Sequence, residues 1–356
     1  MTRSHRIATV CAVVLVVTAL VLAALAWRAG GDDVERRIAI GESEPLRSAL
    51  YGHEVVVRVP GAEVVVLVGD PAEHLDSPVF ERSSGLYDPD APVVVEADDD
   101  GLLVPVSTVA RGTGDGLLQD DPGRPPVVAR LVAGDRTVEL VTYRLGSSSE
   151  RSDAFRGAAQ AVAVDGGLGL DDLRVEVEYD GVVQTAEVAT GEVDAGVAQP
   201  LYDDAVVYAT GCTSVPSRCA LQSPESSRWR ADDDSFTASD VSVYAYDGEH
   251  GWAAEGYRWA SVRLQLFGAY DVVDATGRRR AVTAVEAPVV TLDGAEPAHA
   301  DDLTGDRGDA YGRVVFQVAD DAVPRELRLA QRVTLAGDQA PRTLDLSARV
   351  ALQPPG

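Results

Sequence analysis

The 356-residue sequence contains no lysine and no asparagine, so all 31 of its basic residues are arginine. Without Asn there is no N-x-[ST] glycosylation acceptor. Without Lys there is neither a Schiff-base lysine nor a phosphate-loop lysine. The bias reads as codon usage of a GC-rich genome rather than as function. Aromatic residues make up only 6% of the chain, and there are five His and three Cys. No G-x-S-x-G elbow occurs. His5, His53, His74, His250 and His299 fall into no H-E-x-x-H or comparable spacing. A catalytic triad is recognised by geometry, so an envelope hydrolase stays as the least favoured alternative, and no catalytic residue, metal ligand or cofactor is assigned. Chance pairs of carboxylates are too abundant among 57 acids to point to a glycosidase. Helical patterning is also scarce: only residues 150–162 fit one short helix. Parallel α/β architecture needs regular helices between its strands and is excluded on that ground.

What the chain does have is negative charge. The formal net charge is −26, and all 57 acids follow the apolar N-terminal segment. A surface of that sign repels nucleic acid, so no nucleic-acid partner is expected. The acids are scattered in twos and threes, as on a solvated surface. "EADDDG" (96–101) and "ADDDS" (231–235) lack the D-x-D-x-D-G spacing and the twelfth-position Glu of a calcium loop, and read as acidic turns.

Residues 7–27 carry no charge. As a helix they would be about 31 Å long, matching a hydrocarbon core of about 30 Å. Arg3 and Arg6 precede them, so the positive-inside rule leaves residues 1–6 in the cytoplasm and the rest outside, with Trp27 at the outer interface. Two readings are open. An uncleaved single-pass membrane anchor is favoured, because the run exceeds the usual apolar core of a signal peptide. The alternative is secretion after cleavage near Ala26, at Ala24-Leu25-Ala26.

From residue 34 the dominant signal is period-two alternation broken by Gly, Pro and Asp. "EVVVRV" and "AEVVVLV" flank Pro60-Gly61. Residues 127–143 form a hairpin around Gly134-Asp135. Residues 173–189 form another around Asp180-Gly181, where a type I′ turn needs positive φ at both positions. In the second half, Val262, Leu264 and Leu266 face one way while Arg263 and Gln265 face the other. A further hairpin turns at Thr276-Gly277. "GGLGLDDL" (166–173) fits one unit of the calcium β-roll repeat. That repeat works only in tandem, so a single copy reads as a turn leading into a strand.

Strands of this kind read as antiparallel sandwiches. We expect an all-β protein with two immunoglobulin-like antiparallel β-sandwich domains, over 36–200 and 204–352, preceded by the one transmembrane helix. The joint is expected near the loop-like stretch 210–235, and residues 145–153 offer a rival boundary.

The second half resembles an immunoglobulin-like domain family of bacterial surface lipoproteins and membrane-anchored proteins of unknown function. The resemblance rests on the alternating strand Trp259 to Leu266, the D-x-x-G turn Asp274 to Gly277, "GRVVFQV" (312–318), Pro324 and Leu327-Arg328-Leu329. The family often places Asn after its long strand, and this chain has none. The resemblance implies an extracytoplasmic β-sandwich and offers no catalytic residues to carry over.

Two groups remain. Cys212 and Cys219 are the only cysteines beyond residue 11, and in an oxidising compartment this pair suggests a disulfide closing a small surface loop. Tyr244, Tyr246, His250, Trp252, Tyr257 and Trp259 gather in a chain otherwise poor in aromatics. Core packing accounts for part of this group. Tyr246, His250, Trp252 and Tyr257 are taken as the candidate binding residues, with His250 and Trp252 in the Gly-flanked turn. The functional expectation is a non-catalytic interaction or scaffold module at the cell envelope, with the membrane and an envelope protein as partners. The alternative is an exported sugar- or peptide-binding module using residues 244–259.

Overall fold

The computed structural model describes residues 36–46, 52–76, 94–113, 124–144, 159–203, 206–214, 217–223, 229–232, 235–267, 271–274, 276–305, 309–336 and 342–354. The expected N-terminal segment and anchor (1–27) and the rival boundary 145–153 lie outside these residues. Among the described residues no helix is long and apolar enough to cross a membrane. The structure is 63% strand and 4% helix.

The turn chemistry explains the punctuation. Asp180 (φ 49°) and Gly181 (φ 76°) both take the left-handed conformation between the strands Leu173–Tyr179 and Val182–Glu187, as a type I′ hairpin demands. The acidic turn after Val94–Ala97 works the same way. Asp99 and Asp100 have φ of 52° and 59°, and Gly101 N–H donates to Asp98 O at 2.9 Å. Asp tolerates that conformation better than most residues, which is a conformational reason for acidic residues in this turn. In the "GGLGL" stretch, a Cβ on Gly166 would sit 2.3 Å from Asp100 O, so close approach of two chain segments requires glycine there.

The described chain divides into two compact units, one reaching to Asp194 and the other starting at Ala195, with Arg58–Pro60 grouped with the second. The first unit contains three sheets. The central one runs Ser43–Leu46, Ala159–Val164, Leu102–Gly112, Ala62–Val68, His53–Val59 in spatial order. Consecutive residues Ala161, Val162, Ala163 and Val164 are all buried, so both faces of this sheet are covered. On one face, Leu103, Ala161 and Ala163 share a core with Ile38, Val95 and Ala97 of a three-stranded sheet. The third sheet carries both hairpins read from the sequence, 126–144 and 173–187. It is joined to the central sheet where Gln160 Nε2 donates to Leu140 O at 2.9 Å.

Three sheets are one more than a plain sandwich has. Two further expectations need correcting. The described part of the 150–162 helix is strand, because Ala159–Val164 finds ladder partners on both edges and this pairing overrides the helix propensity of alanine. The fold is also not wholly antiparallel, since Arg36–Ile38 pairs in parallel with Val94–Ala97.

The second unit is a sandwich of two large sheets around one core. In one sheet Tyr257–Phe267 is central, pairing with Val241–Tyr244 and Ser235–Ala238 on one edge and Ala310–Ala319 on the other. Val262, Leu264 and Leu266 are buried while Arg263 and Gln265 are exposed, as the alternation requires. In the other sheet Glu326–Leu335 is central. Arg342–Ala351 lies on one edge, and Arg279–Val285 followed by Val289–Leu292 on the other. Phe236, Leu264 and Phe316 of the first sheet share the core with Leu292, Leu329 and Leu346 of the second.

Cys212 and Cys219 form a disulfide, with their Cα atoms 5.4 Å apart. Cys212 is not on the surface: it is fully buried in the sandwich core, so the exposed loop is rooted there. The chain-entropy estimate for so short a loop is about 2–3 kcal/mol. Denaturant unfolding of the wild type under oxidising and under reducing conditions should therefore differ by about that amount, and a Cys212→Ala/Cys219→Ala variant should show no such difference. Coincident curves for the oxidised and the reduced wild type would remove the disulfide from the account of stability.

Candidate functional site

Between Val241–Tyr244 and Tyr257–Phe267 the chain leaves the sheet and makes a small excursion. Tyr246–Asp247 and Gly251–Trp252 pair as a two-stranded hairpin, with Gly248, Glu249 and His250 as its turn. Gly251 (φ 73°) supplies the left-handed residue that closes it.

The excursion is held by a buried carboxylate. Asp247 is 1% exposed. It accepts from Tyr244 Oη at 2.8 Å and from Glu249 N–H at 3.0 Å, and it is ion-paired with Arg313 of the neighbouring strand Ala310–Ala319. Arg313 Nη1 adds a contact at 3.4 Å, and Nη2 also donates to the Tyr244 hydroxyl. Burial alone would raise the Asp247 carboxyl, but hydrogen bonds from Arg313, the Glu249 backbone and Tyr244 outweigh it and hold the group below the ordinary aspartate value. Burial would likewise lower the Arg313 guanidinium, and the bond to Asp247 turns the shift upward. Burial is the main cause pushing the Tyr244 phenol above its usual range. The pair is therefore fully charged, and Tyr244 stays protonated as its donor.

A second layer supports the hairpin from beneath. Trp259 is buried with Ala253 and Val315, and Tyr244 packs against them. Its Nε1 donates to Gly251 O at 2.9 Å. Tyr246 packs against Trp252, edge to face, with ring centroids 5.1 Å apart.

The four expected binding residues separate in this frame. Tyr246 is buried, at 7% exposed, and serves as packing. His250 and Trp252 are half-buried. Tyr257 is 46% exposed, the most open of the four.

The sandwich also joins histidines that lie far apart in sequence. The short strand His299–Ala300 pairs with Ala310–Ala319, placing His299 opposite Val315. The His299 ring centroid lies 4.6 Å from that of His250, which in turn lies 5.8 Å from Trp259. Ligating atoms of Glu249, His250 and His299 fall within 4.8 Å of one another. His250 Nε2 is buried without a hydrogen-bond partner. Asp301 Oδ1 is 3.8 Å from His299 Nε2, and Asp301 Oδ2 accepts from Arg313 N–H at 2.6 Å. Gly312 permits this approach: a Cβ there would come within 2.8 Å of Asp301 Cβ and Leu303 Cδ2.

His53 and His74 lie in the first unit, and His53 Nε2 is 3.6 Å from Asp70 Oδ1. Glu249, His299, Asp301, Asp247 and Arg313 were not distinguishable as site residues by spacing. Strand register brings His299, Asp301 and Arg313 to the turn that carries Asp247 and Glu249, and the one local signal is the Gly-bounded Glu-His of "GEHG" (248–251). No family model matches the chain, and a search of curated proteins finds no match either.

Breaking a buried ion pair by removing one partner costs about 3–5 kcal/mol, so Asp247→Asn should destabilise the protein on that scale. Because the folded-state pKa of Asp247 is lowered, its contribution is complete above the unfolded-state value near 4 and is lost as pH falls through the folded value. Unfolding midpoints recorded from pH 7 downward should show the gap between the wild type and Asp247→Asn narrowing as the pH falls below about 4. Parallel profiles would contradict the charged-pair assignment.

Proposed function

We propose that the chain is a single-pass protein of the cell envelope and acts there as a non-catalytic interaction module. In this reading residues 1–6 are cytoplasmic and 7–27 form the anchor. The domains at 36–200 and 204–352 stand outside, the second as an immunoglobulin-like sandwich. The observation that carries the reading is the braced hairpin. A buried, fully hydrogen-bonded ion pair fixes an excursion from the sheet, and that excursion carries half-buried His250 and Trp252 close in sequence to exposed Tyr257. Rigid aromatic side chains give large contact area at low entropy cost, as protein-binding surfaces use them. The disulfide fits an oxidising compartment, and the uncharged run 7–27 fits an anchor.

A sugar or peptide ligand at the same face is the weaker alternative. Trp252 is committed edge-to-face to Tyr246, which reduces the open ring that stacking would use.

Membranes from cells making the full chain should retain it in the pellet after alkaline extraction, and a chain lacking residues 1–27 should be released. A photoreactive residue at 257 or 252 should give a discrete protein adduct in intact cells. The same probe at exposed Val183 of the first unit should not. Release of the full chain would contradict the anchor, and identical adduct patterns at the three positions would contradict the recognition face.

A further inference from the structure

We propose that Glu249, His250 and His299 bind a divalent transition-metal ion of the zinc class. The donor set is two imidazoles and one carboxylate, the borderline-soft combination that suits zinc; calcium and magnesium prefer all-oxygen shells. Zinc bonds of about 2.0–2.1 Å in a tetrahedral shell put neighbouring donors roughly 3.3 Å apart. The three donors already lie within 4.8 Å of one another. Glu249 and His299 are exposed, so rotation of their side chains can close the difference.

The second observation concerns His250. Its Nε2 is buried with no hydrogen-bond partner, an arrangement that costs free energy unless something satisfies the nitrogen. A metal ion among the three donors would do so. The backbone is prepared for this: Glu249 N–H is fixed on Asp247, and His299 is held in register against Val315. Asp301 is anchored on Arg313 N–H and faces His299 Nε2, the position from which an outer carboxylate orients a ligating imidazole. With three protein ligands, one coordination position stays open to water. The site does not depend on the nature of the partner proposed above.

The test is calorimetric titration of the detergent-purified full chain with zinc chloride, in a millimolar calcium and magnesium background that occupies weak carboxylate sites. One ion should bind per chain in the wild type and in His53→Ala/His74→Ala. The one-to-one event should disappear in His250→Ala/His299→Ala and weaken in Glu249→Gln, a change on an exposed turn that spares the core. Asp301→Asn, removing the outer partner, should weaken binding on the order of 10- to 100-fold. A wild type that binds no better than His250→Ala/His299→Ala would overturn the proposal, as would Glu249→Gln and Asp301→Asn binding with unchanged affinity.

Discussion

The candidate site depends on one interaction, the buried ion pair between Asp247 and Arg313 with Tyr244 as its third member. A carboxylate taken out of water is costly unless its lone pairs are satisfied. Here four donors converge on it: Tyr244 Oη, Glu249 N–H and two guanidinium nitrogens. They come from three different parts of the fold. Tyr244 ends one strand, Glu249 lies in the hairpin turn, and Arg313 belongs to the strand on the far side of Tyr257–Phe267. The pair therefore ties the excursion to two strands at once, and a small polar hairpin acquires a fixed position.

Arg313 links this network to the histidine pair. Its side chain serves Asp247 and its backbone N–H serves Asp301, which faces His299. Glu249 likewise donates its N–H to Asp247 while its carboxylate reaches toward the imidazoles. The same residues that brace the hairpin thus position the proposed metal donors. A recognition face and a metal site built on one scaffold would be rigid together, as the proposed interaction role requires.

The fold was largely legible in the sequence because its signals are local. Alternation at Val262, Leu264 and Leu266 needs only the pleat, and Asp180-Gly181 needs only the sterics of a two-residue turn. The strand Ala159–Val164 was not legible, because alanine-rich segments take their structure from neighbours, and its neighbours lie more than 50 and 110 residues earlier in the chain. The parallel pair of Arg36–Ile38 with Val94–Ala97 is equally non-local. The same division holds for the site. The aromatic cluster stood out by composition, yet nothing in its spacing separates Tyr246, which turns inward, from Tyr257, which turns outward. Arg313 and His299 could be found only through strand register, since they lie 66 and 49 residues from Asp247 and His250.

Hydrogen exchange in the Arg313→Met variant tests the central claim most directly. If the buried pair holds the excursion in place, amides from Asp247 to Ala253 should lose protection through local opening, whereas those of Tyr257–Phe267 and Glu326–Leu335 should stay protected, lowered only by the loss of global stability. Unchanged exchange across the hairpin would contradict the account, because it would show that the excursion holds its place without the ion pair.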